Sequence, residues 1–326
     1  MTLQLGSHGP LVSRWTQVML KRFKSYALGR DGLPLKDDAY YGLDEESVQK
    51  EYERRTGQIQ DGIVSDHDLD ALGLPIPTRH TIFTVNGFMG DMWVSYPAEC
   101  AKALDPNRVY WQPIGYKNTD VLMAEGIKEG VAEHINQINL HPGTFMGAYY
   151  SEGEIVGALV LNEIRNGSLQ HRKDDFIGAV TFGAPMREKG SHPPGCKDPG
   201  GRGIARDRTV STPSWWWDYA DPGDMYACCP DDASGEFITS IYQGIARSNV
   251  IGGHDTLAEQ ILELVLNPLG EAFPLGKAIL KAIAFFGGGT AAHVHYHDRE
   301  ILPGVTYLQH AINHLNERAW VVAPRK

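Results

Sequence analysis

The chain has 326 residues, 42% of them hydrophobic and 21% charged, a balance that excludes disorder over most of its length. It carries 30 basic and 40 acidic side chains, a formal net charge of -10, so the long-range attraction to a phosphate backbone that drives non-specific nucleic-acid binding is missing. No apolar run reaches the ~18 residues needed to cross a bilayer; the best, Ala278 to Phe286, is broken by Lys281. Met1 to Pro10 lacks a basic start, an apolar run and a small-residue cleavage site, so no secretory signal is expected. The length exceeds one ordinary core and suits a large domain with a small one.

In chain order, Leu5 to Leu74 carries three short helical patterns. Leu11 to Phe23 sets Val12, Trp15, Met19 and Phe23 at helical spacing. Asp44 to Thr56 starts on Asp44 as an N-cap and buries Val48 and Tyr52 on one face. A turn at Asp61-Gly62-Ile63-Val64 and a cap lead into Asp66 to Leu72. Leu74-Pro75-Ile76-Pro77-Thr78 then predicts a stiff extended connector. The domain boundary is expected there: a small all-α three-helix domain over 1–75 and a larger domain over 76–326.

Residues 1–75 also resemble the peptidoglycan-binding domain of cell-wall hydrolases. The likeness rests on Leu5-Gly6-Ser7-His8-Gly9-Pro10-Leu11-Val12, on Tyr41-Gly42-Leu43 before a helix with Val48 and Tyr52, and on Asp61-Gly62-Ile63-Val64 with Leu69 and Leu72. It departs at Trp15 and over the longer stretch Phe23 to Tyr40, and no individual wall contact transfers. The resemblance implies binding to peptidoglycan.

Beyond Thr78 strands and helices alternate. Thr81 to Val85 is an apolar, β-branched run suited to a strand buried on both faces. Val109 to Pro113, Gly143 to Tyr150 and Asp175 to Gly183 follow as strands, with helical patterns over Thr119 to Ile138, Glu154 to Arg165 and Thr256 to Leu266. The alternation predicts an α/β fold, a parallel sheet covered by helices, with its site beyond the carboxyl ends of the strands.

Ser151 falls at such a place. Tyr149-Tyr150-Ser151-Glu152-Gly153 follows the third strand and precedes a helix, as in a nucleophile elbow, where a sharp turn lifts a serine hydroxyl above the sheet. Gly153 meets the pattern; Tyr149 stands where a glycine is usual. Read alone, the plainer reading of Ser151 is a helix N-cap. A serine nucleophile needs a histidine base steadied by a carboxylate, and the α/β-hydrolase order is serine, acid, histidine. Asp221-Pro222-Gly223-Asp224 offers two acids, and His293 to His297 lies downstream.

Tyr150-Ser151-Glu152-Gly153, Ala220-Asp221-Pro222-Gly223-Asp224-Met225-Tyr226-Ala227 and Ala292-His293-Val294-His295-Tyr296 together resemble the cutinase-related esterases, most closely the mycobacteriophage lysin B enzymes. That resemblance implies a cutinase-like α/β-hydrolase fold and a lipolytic serine esterase that cleaves the ester joining mycolic acid to arabinogalactan, or other lipid esters, in host lysis. It implies a protein made in the host cytoplasm that acts at the envelope. It places the acid on Asp224, with Asp221 a turn residue, and the histidine three residues before an aromatic, His293 before Tyr296, with His295 the alternative.

The oxyanion hole is expected from the backbone N–H groups of Glu152 and, after the first strand, Phe88. His293, His295, His297 and Asp298 can also be read as metal ligands, which raises a metallohydrolase as a rival. No second cluster of that density stands elsewhere in the sequence, so no metal and no cofactor are expected. Trp215-Trp216-Trp217 is an aromatic lip for an acyl chain or a packed loop. Lys189 to Arg208 reads as a long surface loop, and 257–266 with 275–286 as core helices or a lid. Of Cys100, Cys196, Cys228 and Cys229, most are expected as buried thiols, with one bridge from Cys196 to Cys228 or Cys229 left open. A serine esterase and a catalytically inactive wall-binding or virion protein, the latter motivated by Tyr149, both remain open.

Overall fold

The computed structural model describes residues 3–76, 78–119, 123–247 and 291–325. The chain divides into two compact units, Met1–Arg79 with Asp105–Tyr110, and His80–Leu104 with Trp111–Lys326.

The first unit is built on α1 (Pro10–Arg22), α2 (Leu43–Thr56) and α3 (Asp66–Leu72). Trp15, Met19, Tyr41, Val48, Tyr52 and Leu69 form its core, with the Trp15 and Tyr41 rings 5.3 Å apart. Asp44 is not the cap of α2. The helix starts at Leu43 and its N-cap is Gly42, two residues before Asp44; the Gly42 N–H donates to Glu45 Oε2 at 2.9 Å. Asp44 sits in the first turn, where its charge still favours the helix dipole, and pairs with Arg30. Ser65 caps α3 reciprocally with Asp68.

The second unit holds, but for the first two residues of β2, a sheet of five strands, β1 (His80–Val85), β2 (Val109–Pro113), β3 (Phe145–Tyr150), β4 (Phe176–Phe182) and β5 (Trp216–Tyr219), in the order β2-β1-β3-β4-β5. The β1–β3, β3–β4 and β4–β5 pairs are parallel. The helices are α4 (Tyr96–Lys102), α5 (Met123–Leu140), α6 (Glu152–Asn166), α7 (Ala233–Arg247) and α8 (Tyr307–Val321). Because side chains alternate along a strand, β3 sends Phe145 and Tyr149 into the core shared with Val156 and Val160 of α6. Tyr150 points the other way, onto Tyr96 of α4, ring to ring at 5.0 Å. On that second face Arg318 of α8 lies over Gly178 of β4. The sheet is thus covered on both sides. A short hairpin, β6 (Glu300–Leu302) with β7 (Val305–Thr306), leads into α8.

Several expectations change. The Trp215–Trp217 run is mostly strand: Trp216 is buried and stacks on Tyr149, Trp215 packs on Phe176, and Trp217 stacks on His314 at 3.5 Å. Trp215, just before β5, packs on the same Phe176 ring as Trp216, and alternation turns Trp217 the other way, so packing within the fold, not an acyl-receiving lip, accounts for the run. The segment from 189 to 208 is not a free surface loop. At its start buried Arg187 donates to the backbone carbonyls of Ala227, Ser191 and Gly200. Within it buried Arg202 pairs with Asp231 and Glu236, so charges that read as solvated tie the segment down. All four cysteines are free, and no Cys196 bridge forms. The helical patterns over 257–266 and 275–286 lie outside the described residues. No helix among the described residues is long and apolar enough to cross a membrane.

Candidate active site

Ser151 stands between β3 and α6 with φ 54° and ψ -124°, a left-handed backbone that is rare for a residue with a Cβ. Its N–H donates to Phe182 O at 3.0 Å, fixing the turn to β4. The tight return of α6 explains Gly153, where a Cβ would lie 2.4 Å from Val85 O. The Ser151 side chain makes no capping bond to the helix it precedes. Its Oγ lies 2.9 Å from His293 Nε2 instead.

His293 Nδ1 is 2.8 Å from Asp224 Oδ2. With the Nδ1 proton directed at that carboxylate, Nε2 is left to accept the Ser151 hydroxyl proton. The imidazole lies between the rings of Tyr150, at 5.1 Å, and Tyr226, at 4.6 Å, and the Tyr150 hydroxyl donates to the His293 carbonyl at 3.0 Å. Asp224 is fully buried. Its Oδ1 accepts the Tyr226 N–H at 2.9 Å, and its Oδ2 accepts the Tyr296 hydroxyl at 2.6 Å. Asp221 stays apart: its Oδ1 accepts the Gly223 N–H and pairs with Arg299, as a turn residue does.

Ser151, His293 and Asp224 therefore come together, and His295 does not. It is half-exposed and bonded to Asp298. The donor atoms of His295, His297 and Asp298 lie within 4.8 Å of one another, a cluster of the dimensions a metal site would need, on the surface and separate from the buried triad. Tyr96 also reaches it, through its hydroxyl 3.3 Å from His297 Nδ1.

The loop after β1 runs against the serine, since a Cβ on Gly87 would fall 2.8 Å from Ser151 Cβ. The next residue is Phe88, and Glu152 opens α6. Neither backbone N–H has a protein acceptor among the described residues. The loop is braced from behind by Asn118 Nδ2, which donates to Gly87 O at 2.7 Å and Gly90 O at 2.8 Å. The Glu152 side chain turns inward, with both carboxyl oxygens buried and without a hydrogen-bond partner among the described residues. Desolvation raises its pKa to about 8.

Two features escape the sequence patterns. Gly183, just past β4, has φ 57°, and a Cβ there would lie 2.4 Å from His293 Cε1 and 2.8 Å from Asp224 Oδ2. Tyr149 fills the place of the usual elbow glycine by burying its ring against Gly157 of α6, where a Cβ would come within 2.7 Å of it. Gly183 left only a strand-ending glycine as its signal, and Gly157 none.

A buried aspartate, a histidine and a serine at a strained strand-to-helix turn above a parallel sheet define an α/β hydrolase with the side-chain arrangement of a serine hydrolase. No protein-family model matches the chain. Endolysin B of Mycobacterium phage D29 is 32% identical over 251 residues, covering 70% of this chain and 97% of that protein. Endolysin B of Mycobacterium phage L5 matches to the same extent. The crystal structure of lysin B from Mycobacteriophage D29 superposes with a TM-score of 0.53 at 26% identity, over 73% of this chain and 99% of that one. The chain belongs to the endolysin B family.

Proposed function

We propose that the protein is a serine esterase that hydrolyses the ester between mycolic acid and arabinogalactan in the host envelope during phage-induced lysis. The observation that carries this reading is the bonding of Ser151 Oγ to His293 Nε2 in place of a helix cap. Ser151 Oγ attacks the ester carbonyl while His293 Nε2 takes its proton, and Asp224 holds the imidazolium. The backbone N–H groups of Phe88 and Glu152 receive the developing oxyanion, each worth roughly a hundredfold or more in rate. Collapse breaks the bond to the sugar oxygen, which leaves with the proton from His293, and an acyl-enzyme remains on Ser151. Water, deprotonated by His293, then attacks the acyl carbonyl and frees the carboxylic acid. No metal or cofactor enters these steps.

An apolar acyl group is supported by the loop that follows Gly87, on which Phe88, Met89, Trp93 and Val94 are exposed. Tyr149, the motive for an inactive wall-binding protein, is accommodated by Gly157 and leaves that alternative without support. In the same reading the first unit binds peptidoglycan, and the protein, made in the host cytoplasm, acts at the envelope.

The test is hydrolysis of p-nitrophenyl butyrate by the wild type and Ser151→Ala. Turnover that falls to background in the variant supports the esterase; turnover that survives overturns it. Co-sedimentation of residues 1–79 fused to a fluorescent protein with purified peptidoglycan tests the first unit, and no enrichment over the fluorescent protein alone sinks that assignment.

A further inference from the structure

We propose that Tyr296 is a positioning residue of the triad, acting through Asp224; the inference rests on the serine-esterase reading above. Its hydroxyl donates to Asp224 Oδ2 at 2.6 Å, the same oxygen that His293 Nδ1 approaches at 2.8 Å. The shorter distance is that of a charge-assisted O–H to carboxylate bond. The other carboxyl oxygen is held by the Tyr226 N–H, so three donors fix a carboxylate that is wholly removed from water.

The geometry gives Tyr296 two tasks. A carboxylate held only by His293 and one backbone N–H is free to rock about its Cβ–Cγ bond, and the second donor on Oδ2 stops that rotation in the plane His293 needs. When His293 becomes an imidazolium, the phenol also stabilises the negative charge on Oδ2, which keeps the shared proton on Nδ1 rather than on the carboxylate.

Tyr296 is built for this. It is fully buried among Tyr96, Phe182 and Tyr307, and its carbonyl is pinned by the Leu308 N–H at 2.9 Å, at the start of α8. Burial first, and then the Asp224 charge, push the phenol well above its usual pKa, so it remains a donor across the working pH range. It stands three residues after His293, and one short segment thereby supplies both groups that meet Oδ2.

The experiment compares kcat and KM for p-nitrophenyl butyrate in the wild type, Tyr296→Phe, Asp224→Asn and the double variant, and records the far-downfield proton resonance of His293 Nδ1–H in each. Tyr296→Phe is expected to lower kcat by about tenfold, as for loss of one hydrogen bond to a charged group, with KM unchanged and the resonance shifted. In the Asp224→Asn background it is expected to cost nothing more. Wild-type kcat with an unmoved resonance overturns the proposal, as does an equal loss in both backgrounds, which marks a packing role. Should Tyr296→Phe misfold, 3-fluorotyrosine at position 296 keeps the shape, alters donor strength and serves in the same readouts. Activity retained by Ser151→Ala removes the esterase reading alone, because the resonance needs no turnover to be read.

Discussion

Tyr149 and Gly157 share one volume: the tyrosine ring of β3 lies where any side chain at position 157 of α6 would go, 2.7 Å from its Cβ position. The same ring stacks on Trp216 at 5.3 Å. The elbow thus trades the usual glycine before the serine for a bulky residue there and a glycine on the helix behind it. Overpacking by one methyl costs about 1–3 kcal/mol when the neighbour is buried and wedged.

Gly157→Ala is accordingly expected to lower unfolding free energy by about that amount and to reduce kcat by displacing the β3–α6 turn that carries Ser151. Urea denaturation of Gly157→Ala, Tyr149→Leu and the double variant measures it. Destabilisations that simply add would refute the shared-volume account, since residues in contact should couple.

Glu152 leads to a pH prediction. Its folded-state pKa is raised from 4.5 to about 8 by desolvation, so the folded state binds a proton that the unfolded state releases. The stability is full below pH 4.5 and is lost as pH rises toward 8. At pH 7 the loss is on the order of 3 kcal/mol. Glu152→Gln should flatten the pH dependence of unfolding free energy between those limits. A variant whose stability still falls between pH 4.5 and 8 as the wild type does would contradict this.

Acid stability turns on His134. It is buried between Phe83 and Tyr149, at 5.2 and 5.8 Å, with neither ring nitrogen hydrogen-bonded among the described residues, and desolvation lowers its pKa from 6.5 to about 3. The stability it permits is complete above pH 6.5 and is lost as pH falls toward 3, by up to roughly 3–5 kcal/mol. His134→Leu, which removes two unsatisfied polar atoms, should raise the melting temperature at pH 5 more than at pH 8. An equal shift at both pH values would argue against titration of the imidazole.

The two candidate histidines are separable by mutation. His293→Ala should abolish ester hydrolysis, while His295→Ala, which removes a surface partner of Asp298, should leave kcat within about twofold. EDTA should leave the wild-type rate unchanged. Loss of activity in His295→Ala together with inhibition by EDTA would move the chemistry to the 295–298 cluster.

How much of this was legible in the sequence depended on whether the determinant was local. Strands β1, β3 and β4 announce themselves because buried parallel strands are continuous apolar runs, and Ser151 is marked by its strand-to-helix turn; the residues alone leave Asp221 beside Asp224 and His295 beside His293, and only the resemblance to the cutinase-related esterases selects Asp224 and His293. β5 is hidden because it is four residues long and its two tryptophans, with Trp215 just before them, read as a cluster rather than as an alternation. α4 is seven residues long and carries Pro97 in its first turn, too short for a periodicity to emerge. The anchoring of 189–208 by Arg187 and Arg202 was invisible because a buried arginine is recognised only when its partners, here at 227 and 231, are brought beside it. Tyr296 was noticed merely as the aromatic after the histidine. Its bond to Asp224 spans 72 residues, and no local pattern encodes such a contact.

The most direct test of the account is release of free mycolic acid from purified mycolyl-arabinogalactan, followed by mass spectrometry, with wild type and Ser151→Ala side by side. The account predicts mycolate release by the wild type, none by the variant, and a transient adduct of mycolyl mass on Ser151. Hydrolysis of small esters with no mycolate released would contradict the proposed substrate, and release by both proteins would contradict Ser151 as the nucleophile.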